Sequence, residues 1–170
     1  MASYPEAVAS RDGDGWVSCR CGARHWGLHG AAGLVLWRPA IDGPQLLLQH
    51  RAGWVHDGGT WAVPGGARDS HEGPVRAALR EANEEVGVRA EDIEVGVTLT
   101  GTDHHDWRYD YVLAMASPRA RVHAANDETA DLDWVPMARE PGLPLHAGLR
   151  RDWSRLVLAV QQVVGGAVAD

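Results

Sequence analysis

Apolar residues fall along this chain in short blocks, separated by glycine, proline and clustered charge. AAGLVLW (31–37) and QLLLQHR (45–51) are near-continuous apolar runs of strand length, and a turn at Ile41-Asp42-Gly43-Pro44 joins them. Thr60–Pro64 is a further short strand that ends in a Gly65-Gly66 loop. The period then changes. Val75, Ala78, Leu79, Ala82 and Val86 recur at helical spacing, after Gly73-Pro74 as a start signal and before Gly87 as a stop. IEVGVTLTG (93–101), WRYDYVLAMA (107–116) and DLDWVPM (131–137) read as strands, and Trp153, Leu156, Val160 and Val163 mark a C-terminal amphipathic helix from Leu149. Residues 1–15 are polar and read as a loose arm, while residues 16–30 show no period. Strands, helix, strands and helix in that order predict one mixed α/β domain. Its expected bounds are 28–166, preceded by an N-terminal extension over 1–27.

The 170 residues are enough for one domain with a proper core. No apolar run is long enough to span a bilayer, and no basic segment leads into an apolar stretch at the N-terminus, so neither a membrane nor secretion is expected. Two cysteines do not make a disulfide scaffold, and a reducing cytoplasm is the expected location. A formal charge of −7 argues against a surface for polymeric nucleic acid. It leaves room for a small anion if cations screen the site. All sixteen basic residues are arginine, so positive contacts to a phosphate must come from arginine, histidine or a metal.

Glu72, Glu81, Glu84 and Glu85 crowd into fourteen residues. At about 100° per residue, Glu81, Glu84 and Glu85 share a helix face beside the apolar arc. Two carboxylates about 4 Å apart repel by roughly 4 kcal/mol at an effective dielectric of 20, and Arg80 can offset only part of that. A solvated acidic face is one outcome. The other is a set of oxygen ligands for Mg²⁺ or Mn²⁺, ions that commonly hold phosphate oxygens in their remaining positions.

The spacing chooses between them. Gly66, five residues, Glu72, seven residues, Arg80-Glu81-Ala82, Asn83, Glu84-Glu85, Val86 and Gly87-Val88 resembles the complete Nudix box, with small Ala82 the one soft position. The resemblance implies a Nudix-type α/β/α sandwich with a mixed β-sheet, in which the box forms a catalytic loop–helix–loop. It implies a Mg²⁺- or Mn²⁺-dependent hydrolase cleaving a diphosphate linkage in a nucleoside diphosphate derivative. By position Glu81, Glu84 and Glu85 are similar to the family's metal-binding carboxylates, and the carbonyl of Gly65 to a further ligand. Arg80 and Glu72 are similar to the ion pair that orients the catalytic helix. The box does not fix the general base; Glu81, Glu128, His104 and His105 are candidates. Homodimers are frequent in the family, but no segment here specifies an interface.

For substrate, Gln49-His50-Arg51, Trp54 and Trp61 precede the box where relatives line the cleft, and Arg51 could pair with phosphate. Trp54, Trp107 or Tyr109 could stack on a base. The proline of ADP-ribose-specific subfamilies and the SQPWPFP-type run of NADH pyrophosphatases are absent. The expected substrate is therefore a nucleoside triphosphate, including oxidised ones, with ADP-ribose, nucleotide sugars or dinucleotides as the alternative. A non-catalytic nucleotide sensor would be expected to lack box carboxylates, which are all present. An isoprenoid diphosphate isomerase of this fold uses a catalytic cysteine, and Cys19 and Cys21 precede the first core strand. Cys19, Cys21, His25 and His29 carry zinc-ligand chemistry, but a single residue between the cysteines is shorter than the usual spacing, so loop or packing roles are expected of them.

Overall fold

The computed structural model describes residues 11–166. Nine strands and two helices follow in order: β1 (Trp16–Ser18), β2 (Arg24–Trp26), β3 (Ala31–Arg38), β4 (Gln45–Arg51), β5 (Trp61–Ala62), β6 (Gly65–Ala67), α1 (Pro74–Val86), β7 (Ile93–Asp103), β8 (Arg108–Ala116), β9 (Thr129–Pro136) and α2 (Ala147–Gly166). The central sheet runs β5-β4-β3-β8-β7, with β6 paired to β3 and β9 to β4. It is mixed: β3 and β8 are parallel through seven residue pairs, Ala31–Trp37 against Tyr109–Met115, and the other pairings are antiparallel.

Strand β3 is covered on both faces, which is why it reads as an unbroken apolar run. Leu34 and Leu36 face α1 and pack with Ala77, Ala78, Ala82 and Val86. Val35 and Trp37 face the other way, against Leu149, Trp153, Leu156 and Val160 of α2. These two cores make the helix–sheet–helix layering that the box resemblance implies. The alanines along α1 leave no bulk between helix and sheet, so its backbone, and the carboxylates it carries, sit close to β3 and β6.

Helix α1 begins at Pro74 after Gly73, which contributes no side-chain cap, and ends where Gly87 turns left-handed (φ 68°) and donates its N–H to the Asn83 carbonyl. A side chain there would be strained by that φ and would also strike the His123 ring.

Two expectations change. Gly65-Gly66 is strand β6, not a loop, with Gly65 and Gly66 opposite Gly33 and Ala32. Of the arm, residues 1–10 lie outside the described part, while 11–15 are tied to the box loop rather than loose. The Asp12 and Gly13 N–H groups donate to Asp69 Oδ1 at 2.9 and 2.8 Å, and Ser70 N–H donates to Asp12 at 2.8 Å. Residues 16–26, without visible period, form the small β1–β2 hairpin. Each of its strands has three residues, too few to show an alternation.

Candidate active site

The box folds as one hydrogen-bonded unit around Arg80. Its Nε and Nη2 each donate at 2.8 Å to the two oxygens of Glu72, Nη2 also reaches the Ala67 carbonyl at 2.9 Å, and Nη1 donates to Glu81 at 2.6 Å. Glu72 accepts the Asp69 N–H as well. The guanidinium holds the Glu72 carboxyl down at about 2, well below its ordinary 4.5. Glu81 moves the other way. Burial raises it, and the Arg80 contact offsets this only in part.

Glu85 is the most enclosed of the three helix carboxylates, at 4% exposure. Its Oε2 accepts the Gly65 N–H at 2.9 Å and the Gln49 side-chain amide at 3.1 Å. Gln49 is itself 1% exposed, and its own oxygen accepts the Thr129 hydroxyl at 3.0 Å. Burial pushes Glu85 up to about 8 despite these donors, with neighbouring Glu81 adding to the rise. Gly66 is where close approach matters: a Cβ there would lie 2.7 Å from the Glu81 carboxyl carbon.

Glu84, at the helix surface, is met by Arg11, whose Nη1 and Nη2 donate to its two oxygens at 2.6 and 3.2 Å. The same guanidinium stands 3.9 Å from Glu81 and 3.8 Å from Asp69. Two sets of three or more potential ligand atoms converge within 4.8 Å among the described residues, and neither is the Glu81, Glu84, Glu85 triad. Each of these groups is held by its own donors, and two guanidiniums, Arg11 and Arg80, stand between Glu81 and Glu84. The second such set, Asp69, His71 and Glu72, is largely spent on Arg80 and on backbone N–H groups.

All three carboxylates open into one cleft of about 460 Å³, together with Gly65, Arg51, Tyr109 and Glu128. Arg51 enters at the end of β4 with two donors on the His56 carbonyl. Trp26 and Trp107 also line it, joined by the Trp107 indole N–H donating to the Trp26 carbonyl at 3.0 Å, and form an aromatic wall. Trp54 does not line the cleft. It stands 69% exposed in the turn after β4, where no strand register directs it inward. His104 and His105 do not line the cleft either; they sit in the turn between β7 and β8, with His104 3.2 Å from the cleft-lining His25. Trp61 and His50 stack on each other, with ring centroids 4.9 Å apart. Gln49, expected near substrate, instead orients Glu85. His146, just before α2, lines the cleft and meets Asp57 at 3.1 Å; a single histidine in a Pro/Gly-rich stretch carried no sequence signal.

This carboxylate-lined cleft sits on a chain whose residues 27–157 match the family model of the NUDIX domain. The chain belongs to the Nudix family. Of this family's known members, a Mycobacterium tuberculosis protein named "Putative 8-oxo-dGTP diphosphatase 3" is 47% identical over 165 residues, covering 92% of this chain and 76% of its own. A Bifidobacterium longum "Nucleoside triphosphate pyrophosphatase/Nudix hydrolase fusion protein" is 40% identical, over 94% of this chain and 34% of that protein. The crystal structure of a Nudix hydrolase from M. smegmatis, RenU, superposes with a TM-score of 0.82 at 44% identity, covering 89% of this chain and 97% of that one. The Nudix chain described here is accordingly a hydrolase acting on pyrophosphate bonds. None of its described helices is long and apolar enough to cross a membrane.

Proposed function

We propose that the chain hydrolyses a nucleoside triphosphate at a diphosphate linkage, with an oxidised purine deoxynucleotide as its first candidate substrate, and that Glu81, Glu84 and Glu85 hold the Mg²⁺ or Mn²⁺ it uses. The observation that carries the metal assignment is the under-compensated charge. Two of the three carboxylates are raised by burial, and the cations that meet Glu81 and Glu84 are two guanidiniums, Arg80 within the box and Arg11 from the N-terminal arm. Such a donor set fits a hard divalent ion, which binds carboxylate and carbonyl oxygens, and the carbonyl of Gly65 is the added candidate ligand.

When bound, the ion neutralises phosphate charge and acidifies a water. The protein's own contribution is position. Gly65 and Gln49 fix one oxygen of Glu85, Arg80 fixes Glu81 against Glu72, and Arg51 stands ready for a phosphate oxygen. Glu128 lines the same cleft and is the remaining base candidate outside the box. The Trp26–Trp107 wall offers base-stacking surface in the same cleft as the carboxylates. The diphosphatase name of the M. tuberculosis relative supports an oxidised guanine as the base. Release of pyrophosphate from 8-oxo-dGTP, measured against dGTP, ADP-ribose and dinucleoside polyphosphates with Mg²⁺ or Mn²⁺, tests this. Equal or greater turnover of ADP-ribose would overturn the triphosphate assignment.

Metal should also act on stability. An ion binding only the folded state at a hundred times its Kd adds about 2.7 kcal/mol, and each kcal/mol moves Tm by roughly 2–4 °C for a domain of this size. Thermal melts are expected to rise by roughly 5–10 °C with Mg²⁺ or Mn²⁺ and to fall back with chelator. An unmoved Tm would reject the carboxylates as a cation site. Arg11 competes for the same charge, in a half-exposed pair of the kind worth about 0.2–1 kcal/mol. Arg11→Ala is expected to lower the Mg²⁺ concentration for half-maximal activity by up to about fivefold, read from a metal titration of the rate.

A further inference from the structure

A second cluster of ligand-bearing side chains lies apart from the carboxylates. Cys19 and Cys21 follow β1, His25 is in β2, and His104 is in the turn between β7 and β8. One potential ligand atom from each lies within 4.8 Å of all the others. Cys21 Sγ is 3.2 Å from His25 Nε2, and His25 Nε2 is 3.2 Å from His104 Nδ1. With zinc–nitrogen bonds of about 2.0–2.1 Å and zinc–sulfur bonds of about 2.3 Å, the edges of a tetrahedral site measure roughly 3.3–3.8 Å. The observed separations are close to those edges. Hydrogen bonding explains them less well, because a single imidazole nitrogen has one in-plane position and cannot serve both Cys21 and His104. Four ligand atoms gathered within 4.8 Å of one another, with Cys19 Sγ also 4.0 Å from Asp106 Oδ2, is an arrangement a central cation satisfies.

We propose that Cys19, Cys21, His25 and His104 form a structural zinc site that clamps the β1–β2 hairpin to the β7–β8 turn. Two thiolates and two imidazoles fill all four positions, leaving none open for catalysis. The short spacing of the cysteines is met by the local backbone. Cys19 donates its N–H to the Ala23 carbonyl and accepts from Gly22, both at 3.0 Å, and Gly22 takes a φ of 87° to reverse the chain. The Cys21 N–H then donates to Cys19 Sγ at 3.4 Å. The fourth ligand is not the histidine nearest in sequence: His29 stands 3.9 Å from Asp12, and His104 closes the set from 79 residues beyond His25. The clamp bears on the substrate cleft, because the His25 ring stacks on Trp107 at 4.4 Å and the Trp107 indole donates to the Trp26 carbonyl. It would fix the aromatic wall whichever nucleotide the cleft accepts.

The full chain, purified in reductant without chelator and dialysed against Mg²⁺, is expected to retain about one zinc per chain by elemental mass spectrometry, released when the thiols are titrated with a mercurial. Cobalt in its place is expected to give thiolate-to-cobalt charge-transfer absorption and intense tetrahedral visible bands, which a carboxylate site cannot produce. His104→Ala and Cys21→Ser should lose that signature, and His29→Ala should keep it. The wild-type cobalt spectrum decides even if a variant fails to fold. Two freely reactive thiols with no zinc and no charge-transfer band, or a Cys19–Cys21 disulfide in the reductant-purified chain, would overturn the site. Loss of the signature in His29→Ala with retention in His104→Ala would overturn the ligand set.

Discussion

Glu85→Gln is expected to lower kcat by roughly a thousandfold, because a metal ion's stabilisation of phosphoryl charge is worth several kcal/mol and about 4 kcal/mol is three decades of rate. The fold should survive. Glu85 is buried with a pKa of about 8, so in the metal-free protein at neutral pH it carries a proton and is already uncharged. Glutamine has the same shape, and its oxygen can accept the Gly65 and Gln49 donors that now meet Oε2. A variant that melts like wild type without metal, gains nothing from Mg²⁺ and barely turns over would place Glu85 at the ion. Wild-type activity would remove it.

The same burial predicts a pH dependence of known sign. The folded value lies above the ordinary 4.5, so between 4.5 and about 8 the native state holds a proton that the unfolded chain has released. Stability from this group is whole below 4.5, declines as pH rises, and is lost above about 8. Chelated wild type should therefore lose Tm across that window more steeply than Glu85→Gln, which has nothing there to ionise. Parallel curves for the two proteins would mean that Glu85 is ionised at neutral pH.

The carboxylate helix was legible because its information is local. Glu81, Glu84 and Glu85 share a face through helix geometry alone, and Arg80 reaches Glu72 across a fixed eight residues. The layers were legible too, since blocks of apolar residues of strand and helix length leave few ways to bury them. What escaped depends on distant pairing. Gln49 orients Glu85 from 36 residues away, Arg11 meets Glu84 from 73, and His104 meets His25 from 79. The Gly65-Gly66 pair was misread for a different reason. Glycine usually signals a turn, whereas here it admits the Glu81 carboxyl against a strand, a close approach that a sequence does not display.

Arg80→Leu is expected to be the most destabilising single change in the box. Glu72 is nearly buried, and both of its oxygens rest on this guanidinium; Glu81 rests on it too. Removing one member of a buried ion pair costs about 3–5 kcal/mol because the remaining charge is left without a partner, a large part of the roughly 5–15 kcal/mol that holds a domain together. Tm is expected to fall by roughly 6–20 °C, and kcat with it, since Glu81 loses its anchor. Glu72→Gln should be milder, keeping one acceptor for Arg80, and it should flatten the acid limb. With a folded value of about 2 against 4.5, Glu72 contributes stability that is whole above 4.5 and lost as pH falls through about 2. Arg80→Lys separates charge from shape. Lysine is a point charge and cannot span both Glu72 oxygens while reaching Glu81, so partial recovery of Tm with little recovery of kcat is expected. Full recovery of both would show that the site needs only a positive charge at this position and that the guanidinium fork contributes nothing to holding Glu81.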